Sequence, residues 1–175
     1  MSVWGSLSAV PAADRPDLLA EPVAKAVAGL SGVEVAEIDP ALADTAAFCE
    51  AYGSPLEASA NCVVVSGKRA GEVRFAACLV LATTRADVNG LVKRRLDVRK
   101  ASFAPMDQAV ELTGMEYGGI TPLGLPADWP ILVDARVAAA EAVIVGSGIR
   151  GSKLAVPGAV LAGLPGAEVV EGLGN

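Results

Sequence analysis

The chain has no histidine among its 175 residues. That absence removes the commonest general acid–base group. Ser-His and Cys-His nucleophile pairs are excluded, and so is His-ligated zinc. Any chemistry must use carboxylates, lysines, hydroxyls, backbone amides or the substrate itself. Cysteine is nearly as scarce. Cys49, Cys62 and Cys78 are odd in number, widely spaced and form no CxxC. This pattern speaks against a disulfide framework or a thiolate metal site, and for reduced, buried thiols in a cytoplasmic protein. No metal and no cofactor are expected. Aromatic residues are 4% of the chain, and the 53% apolar fraction leans on alanine and valine. The longest apolar run, Phe75 to Ala82, falls far short of the roughly 20 residues of a membrane helix. The N-terminal Met1-Ser-Val-Trp-Gly-Ser6 lacks a basic start with an apolar core behind it, so no signal peptide and no membrane partner are expected.

What remains is enough chain for one domain with a sizeable core, residues 1–175. The net charge of −6 argues against a general nucleic-acid coat, and no DNA partner is expected. The charge is uneven, however. Residues 61–105 hold nine basic groups (Lys68, Arg69, Arg74, Arg85, Lys93, Arg94, Arg95, Arg99, Lys100) against three acidic ones, Glu72, Asp87 and Asp97. A basic zone on an acidic protein suits local phosphate binding, and equally a solvated helix face.

Periodicity predicts interspersed helices and strands. Pro16 opens a segment with helical spacing at Leu18, Leu19, Val23, Val27 and Leu30, ended by Gly32. Val33 to Ile38 alternates as a strand. Asp44 caps a helix from Thr45 to Tyr52, which stops at Gly53. Cys62–Val65 is β-branched, Ser66–Gly71 reads as a hairpin turn, and Glu72–Ala82 as the returning, central strand. A basic helix is expected over about 86–96, a strand over 100–104 and a helix from Pro105 to Thr113. Further strands are expected at Ile131–Val133, Ala142–Val145 and Ala167–Val170, with a helix starting at Pro157. At least one hairpin among these elements points to an α+β fold with a mixed sheet.

Gly146-Ser-Gly-Ile-Arg-Gly151 matches GxGxxG behind a strand, but the dinucleotide reading is declined. Too few residues follow for the rest of such a half-domain, and Pro157 would break the helix that the motif should open. The glycine-rich segment Gly114 to Pro126 is a better candidate. Within it, Gly118-Gly-Ile-Thr-Pro122 is a GxxxP stretch whose glycines allow close backbone approach and whose proline sets the turn. Exposed N–H groups in such a loop can hold a carbonyl or a developing oxyanion. A plain crossover loop has the same composition.

Leu112-Thr-Gly-Met-Glu-Tyr-Gly-Gly-Ile-Thr-Pro-Leu-Gly124 resembles the "TG…GGxxPxG" segment of the YbaK/prolyl-tRNA-synthetase-associated domain family, the editing domains that hydrolyse mischarged aminoacyl-tRNA. Thr45 to Gly53 resembles its early "TAxEAAxxxG" helix, Pro130 to Asp134 its later strand ending in Asp, and Val143 to Gly148 its glycine turn. The likeness covers roughly residues 33–172, leaving 1–32 as an N-terminal helical extension. The resemblance implies an α+β fold with a mixed, partly barrel-like sheet and flanking helices. It also implies a pocket for the aminoacylated 3′ end of tRNA, with Gly118, Gly119, Thr121 and Pro122 lining it. Thr45, Asn61, Cys62, Asp134, Gly146 and Ser147 are candidate substrate contacts, and Lys93, Arg94, Arg95, Arg99 and Lys100 candidate tRNA contacts. The expected activity is deacylation in trans by backbone amides and substrate hydroxyls, which needs no histidine. One departure stands out. The family has a lysine where this chain has Asn61, and the amide loses the charge. Three readings stay open: a basic side chain such as Arg99 or Lys100 replaces it, the substrate differs, or the protein binds without hydrolysing. Asp134 equally suits a cap on the next turn. Cys62, without a base partner, is a poor nucleophile.

Overall fold

The computed structural model describes residues 2–175. Its strands form two sheets. One is four-stranded and antiparallel, in the order β1 (Val10–Pro11), β2 (Glu34–Glu37), β8 (Ser152–Val156), β7 (Val143–Gly146). The other is five-stranded and mixed, in the order β5 (Ala101–Phe103), β3 (Ala60–Arg69), β4 (Glu72–Leu81), β6 (Ile131–Asp134), β9 (Ala167–Val170). In it β3 pairs antiparallel with β4 and β5, while β4–β6 and β6–β9 are parallel. The helices are α1 (Glu21–Val27), α2 (Thr45–Tyr52), α3 (Lys93–Leu96), α4 (Met106–Thr113), α5 (Ala135–Ala138) and α6 (Gly158–Ala162). The sheets touch through one isolated bridge, Ser59–Ile144, and do not close. The α+β reading with a mixed sheet therefore holds, while the barrel-like part of the expectation reduces to that bridge.

The β3–β4 hairpin is the frame. Its ten-residue strands pair without a bulge. They turn through Ala70 and Gly71, with φ of +52° and +81°, as a two-residue hairpin with the twist of the strands requires. The turn is thus shorter than the Ser66–Gly71 segment expected, because Ser66 and Gly67 also pair with β5. The apolar run of β4 is buried on both faces. Cys78 and Val80 pack against Val88, Val92 and Leu96, where the basic segment runs as a π-turn (Val88–Val92) into α3. Ala77 and Leu79 face the main core. Residues 2–32 join that core as well. Leu18, Leu19, Val23 and Val27 are buried in it, and β1 edges the first sheet. The expected long helix there is divided, because Pro16–Leu18 forms one tight turn and Pro22 starts α1 afresh.

Three elements have no sequence expectation: β1, α5 and β8. The last matters most. The glycine motif at 146–151 is the turn of a β7–β8 hairpin, in which Gly148 takes φ +90° and sits against Ala20.

Candidate functional site

Strand β3 has a gap along its outer edge. Its far half pairs with β5 from Val65 to Gly67, and its near end meets β7 at Ser59. Between them lies a cavity of about 660 Å3. In a strand, the N–H and C=O of one residue point to the same side, and successive residues alternate. Ser59 O accepts from Ala82 N beyond β4 (2.8 Å), whereas Val64 O accepts from Ala104 N on the outer side (2.9 Å). The main-chain donor and acceptor of Cys62 therefore point outward into the gap.

Four segments carry most of the wall residues considered for function. β3 gives Ala60 to Val64, and the start of α2 gives Asp44 and Thr45. The GxxxP loop gives Tyr117, Gly118 and Ile120, and the β7–β8 hairpin gives Gly146, Arg150 and Lys153. Thr45 donates through Oγ1 to Asn61 Oδ1 (2.9 Å). That bond joins two expected site residues sixteen positions apart, and it spends the acceptor of Asn61 rather than its N–H groups. Cys62 lines the wall. Burial pushes its thiol up, with the neighbouring Cys78 adding to the effect, so it stays protonated at neutral pH and is a poor nucleophile.

The loop presents only part of itself. Gly118, with φ +89°, is in the wall, and a Cβ there would collide with the Arg150 guanidinium. Arg150 straps the loop down: its Nη1 donates to Tyr117 O and its Nη2 to Pro40 O, both at 3.2 Å, while its N–H donates to Glu116 Oε1 at 2.7 Å. Gly119, Thr121 and Pro122 are buried behind the wall rather than lining it, which corrects the expectation from the motif. The reason is local. Gly119 O accepts from Gly148 N (2.7 Å), and a Cβ on Gly119 would lie 2.8 Å from Ile149 O, so this glycine is needed for packing two loops together. Thr121 N turns toward Met115 Sδ (3.5 Å), and Thr121 Oγ1 is the buried side-chain oxygen without a partner among the described residues. Ile120 takes the place in the wall. The N–H groups of Gly118 and Ile120 donate to no protein acceptor among the described residues.

Two more expected contacts lie outside the cavity. Ser147 is fully buried, and its hydroxyl is bound to Ile149 O and Ser152 O at 3.1 Å within the hairpin turn. Asp134 caps α5. It accepts from Arg136 N and Gly174 N at 2.8 Å, and from the Arg136 guanidinium. Burial alone would raise its pKa, but the hydrogen bonds from Arg136 and Gly174 outweigh it and hold the carboxyl below its usual range. The cap alternative is the one the geometry follows.

The basic residues lie on the other side of β3. Arg95 pairs with Glu168, and Arg69 and Arg74 gather on Asp97. Arg94, Arg99 and Lys100 are exposed and Lys93 is half-buried. None is in the wall. Lys100 nevertheless leads directly into β5, whose last residue, Phe103, stands at the cavity mouth 63% exposed. Tyr117, Met106 and Leu56 are the other exposed apolar groups of the rim. Sequence reasoning missed Phe103, Ile120, Arg150 and Lys153 as site residues. For Lys153 the only available signal was a lysine inside the alternation Ser152-Lys-Leu-Ala-Val156, hidden because no strand was expected there.

A two-sheet α+β domain with a cavity walled by a GxxxP loop is the class these features define. The model of the aminoacyl-tRNA editing domain matches residues 39–164, and the chain belongs to that family. Solved structures share the fold. A candidate trans-editing enzyme for prolyl-tRNA synthetase superposes with a TM-score of 0.73 at 22% identity, over 87% of this chain and 94% of that one. A scaffold protein used for epitope backbone grafting gives 0.73 at 21% over 87% and 95%. A hypothetical protein gives 0.71 at 21% over 82% and 92%.

Proposed function

We propose that the protein hydrolyses the ester of a mischarged aminoacyl-tRNA in trans, admitting the aminoacylated 3′ end into the cavity beside β3. The observation that carries this reading is the pair of unspent N–H groups at Gly118 and Ile120 in the wall of a cavity large enough for an aminoacyl nucleoside. Family membership and the fold shared with a candidate trans-editing enzyme support it.

In this reading the loop N–H groups hold the ester carbonyl oxygen and stabilise it as negative charge develops. One such donor is worth about 100- to 1000-fold in rate. Water adds to the carbonyl carbon, the bond from that carbon to the ribose oxygen breaks, and the ribose oxygen takes up the proton that the water loses. With no histidine in the chain, the neighbouring ribose hydroxyl relays this proton. The outward N–H and C=O of Cys62 offer a donor and an acceptor for the aminoacyl group. Tyr117 and Phe103, at the mouth, suit stacking of the terminal base, worth about 1–3 kcal/mol. Arg94, Arg99 and Lys100 are exposed outside the cavity, with Lys100 roughly 10 Å from Phe103 along an extended strand, and suit contacts to the tRNA backbone.

A panel of mischarged tRNAs tests the reading: turnover of at least one small aminoacyl ester is expected. Binding without turnover on every member overturns the hydrolase and leaves a second reading, a non-catalytic member that holds an aminoacyl or nucleotide ligand. Asn61 at the position of the family lysine favours that alternative. Under it, Asn61→Lys creates deacylation; an active wild type that the same change silences rules it out.

A further inference from the structure

The cavity contains a charge that this chemistry leaves unused. Lys153 is the second residue of β8, between Ala36 of β2 and Gly146 of β7. Leu154 and Val156 point into the main core, while Lys153 and Ala155 point to the opposite face, toward Phe48, Ile144 and Ala36. That face is apolar, and a lysine there is out of keeping with its neighbours. The residue is 7% exposed. Its ammonium lies 5.5 Å from the centre of the Phe48 ring, and the residue is part of the cavity lining. Among the described residues it makes no hydrogen bond and has no carboxylate within the 4.0 Å of an ion pair.

A buried ammonium without a partner is strongly unfavourable. The ring beneath it offsets only a small part of that cost. The charges facing it are few. Asp44 acts on it through space from the start of α2, the Cys49 thiol lies on the same helix, and Arg150 opposes it from the hairpin turn. Arg150 is spent on Tyr117 O and Pro40 O. Thr45 and Asn61, across the cavity, are bonded to each other. The unmet requirement of the site is thus a negative oxygen, and only a ligand in the cavity is placed to bring one.

We infer that Lys153 is the anion receptor of the cavity: its ammonium binds an anionic oxygen of the ligand, carried either by the phosphate of the terminal nucleotide or by a carboxylate on the aminoacyl side chain. The inference rests on the reading of the cavity as an aminoacyl-nucleoside site. It assigns to β8 of the first sheet the cation that Asn61 on β3 does not supply. In the phosphate case Lys153 positions the 3′ end; in the carboxylate case it selects acidic aminoacyl groups.

The test uses the full chain and three non-hydrolysable probes in which an amide replaces the ester. They are alanyl-aminoadenosine, the same compound with a 5′-phosphate, and its aspartyl counterpart. Calorimetry is run on wild type, Lys153→Met and Lys153→Arg. Wild type is expected to bind one anionic probe at least tenfold more tightly than the neutral one. Which probe gains identifies the source of the oxygen. Lys153→Met binds all three alike, and Lys153→Arg keeps part of the preference. A preference that persists in Lys153→Met overturns the inference. So does a wild type that binds the neutral probe but prefers neither anion, which leaves the aminoacyl-site reading standing. A wild type that binds none of the three overturns that reading itself. A second readout needs no variant: NMR titration of the Lys153 amine should move to higher pH when the preferred anionic probe is bound, and an unmoved titration overturns the inference.

Discussion

Positive charge occurs in two contrasting settings in this molecule. Residues 85–100 carry it in quantity on an exposed surface, partly tied to Glu168 through Arg95. β8 carries a single charge, Lys153, buried against Phe48. The exposed groups keep their water and cost nothing to maintain, so their number says little about what they do. The buried one has lost most of its water without gaining an ion partner. A site is marked by what a charge lacks more than by how many charges gather. Asp134 completes the comparison. It is as buried as Lys153, but Arg136 and Gly174 satisfy it, and it serves as structure.

The largest expected effect is on catalysis at the cavity wall. Gly118→Ala forces a side chain into a left-handed backbone and against Arg150. Deacylation should fall 100-fold or more as the loop shifts and one oxyanion donor is moved out of place, while tRNA affinity changes little. Lys100→Ala, on the exposed surface, should change affinity a few-fold and leave kcat alone. Equal losses from the two variants would dissolve the distinction between wall and surface.

Asp134→Ala comes next. It removes a helix cap and leaves the Gly174 N–H without its acceptor, so about 2–3 kcal/mol should be lost in urea unfolding. The pH dependence has a definite sign. The folded pKa lies below the ordinary 3.8, so the contribution is fully present above that value. It disappears as pH falls through the lower, folded value. Asp134→Asn should flatten this acid limb.

Lys153→Met should be neutral or stabilising by about 1–3 kcal/mol in the free protein, because it removes a buried, unpaired charge. Burial lowers the Lys153 pKa from 10.5, and Asp44 only partly offsets this. Protonation therefore favours the unfolded chain, and wild-type stability should rise with pH between the depressed folded value and 10.5. That slope should be absent from Lys153→Met. A strongly destabilised variant would mean that the lysine is partnered after all.

The smallest effect belongs to the surface. Replacing Arg94, Arg99 and Lys100 together by Gln should change stability by less than about 0.5 kcal/mol. If these residues meet the tRNA backbone, the log–log salt slope of binding should become shallower by roughly 0.7–0.9 for each phosphate that is no longer neutralised. An unchanged slope removes the patch from the interface.

Much of this molecule was legible in local pattern. Helix α2 runs from Thr45 to Tyr52 and stops at a left-handed Gly53, as its glycine requires, although the Asp44 side chain at its start makes no capping hydrogen bond. The central place of β4 follows from its apolar run, and the ordered family segments point to the loop and its cavity. These features depend on residues close together in the chain. Which residues of the GxxxP loop face the cavity did not follow, because Gly119 is turned by a hydrogen bond from Gly148, distant in sequence. Nor did Lys153. A lysine between apolar residues looks like a surface position until a strand is known to lie between two others, and α2 is known to cover its face. The exclusion of histidine chemistry, the elements of the hairpin and the glycine loop are properties of composition and local backbone, and for them the sequence suffices. That one cation is stripped of water inside the cavity was settled in three dimensions, because desolvation depends on which elements pack together.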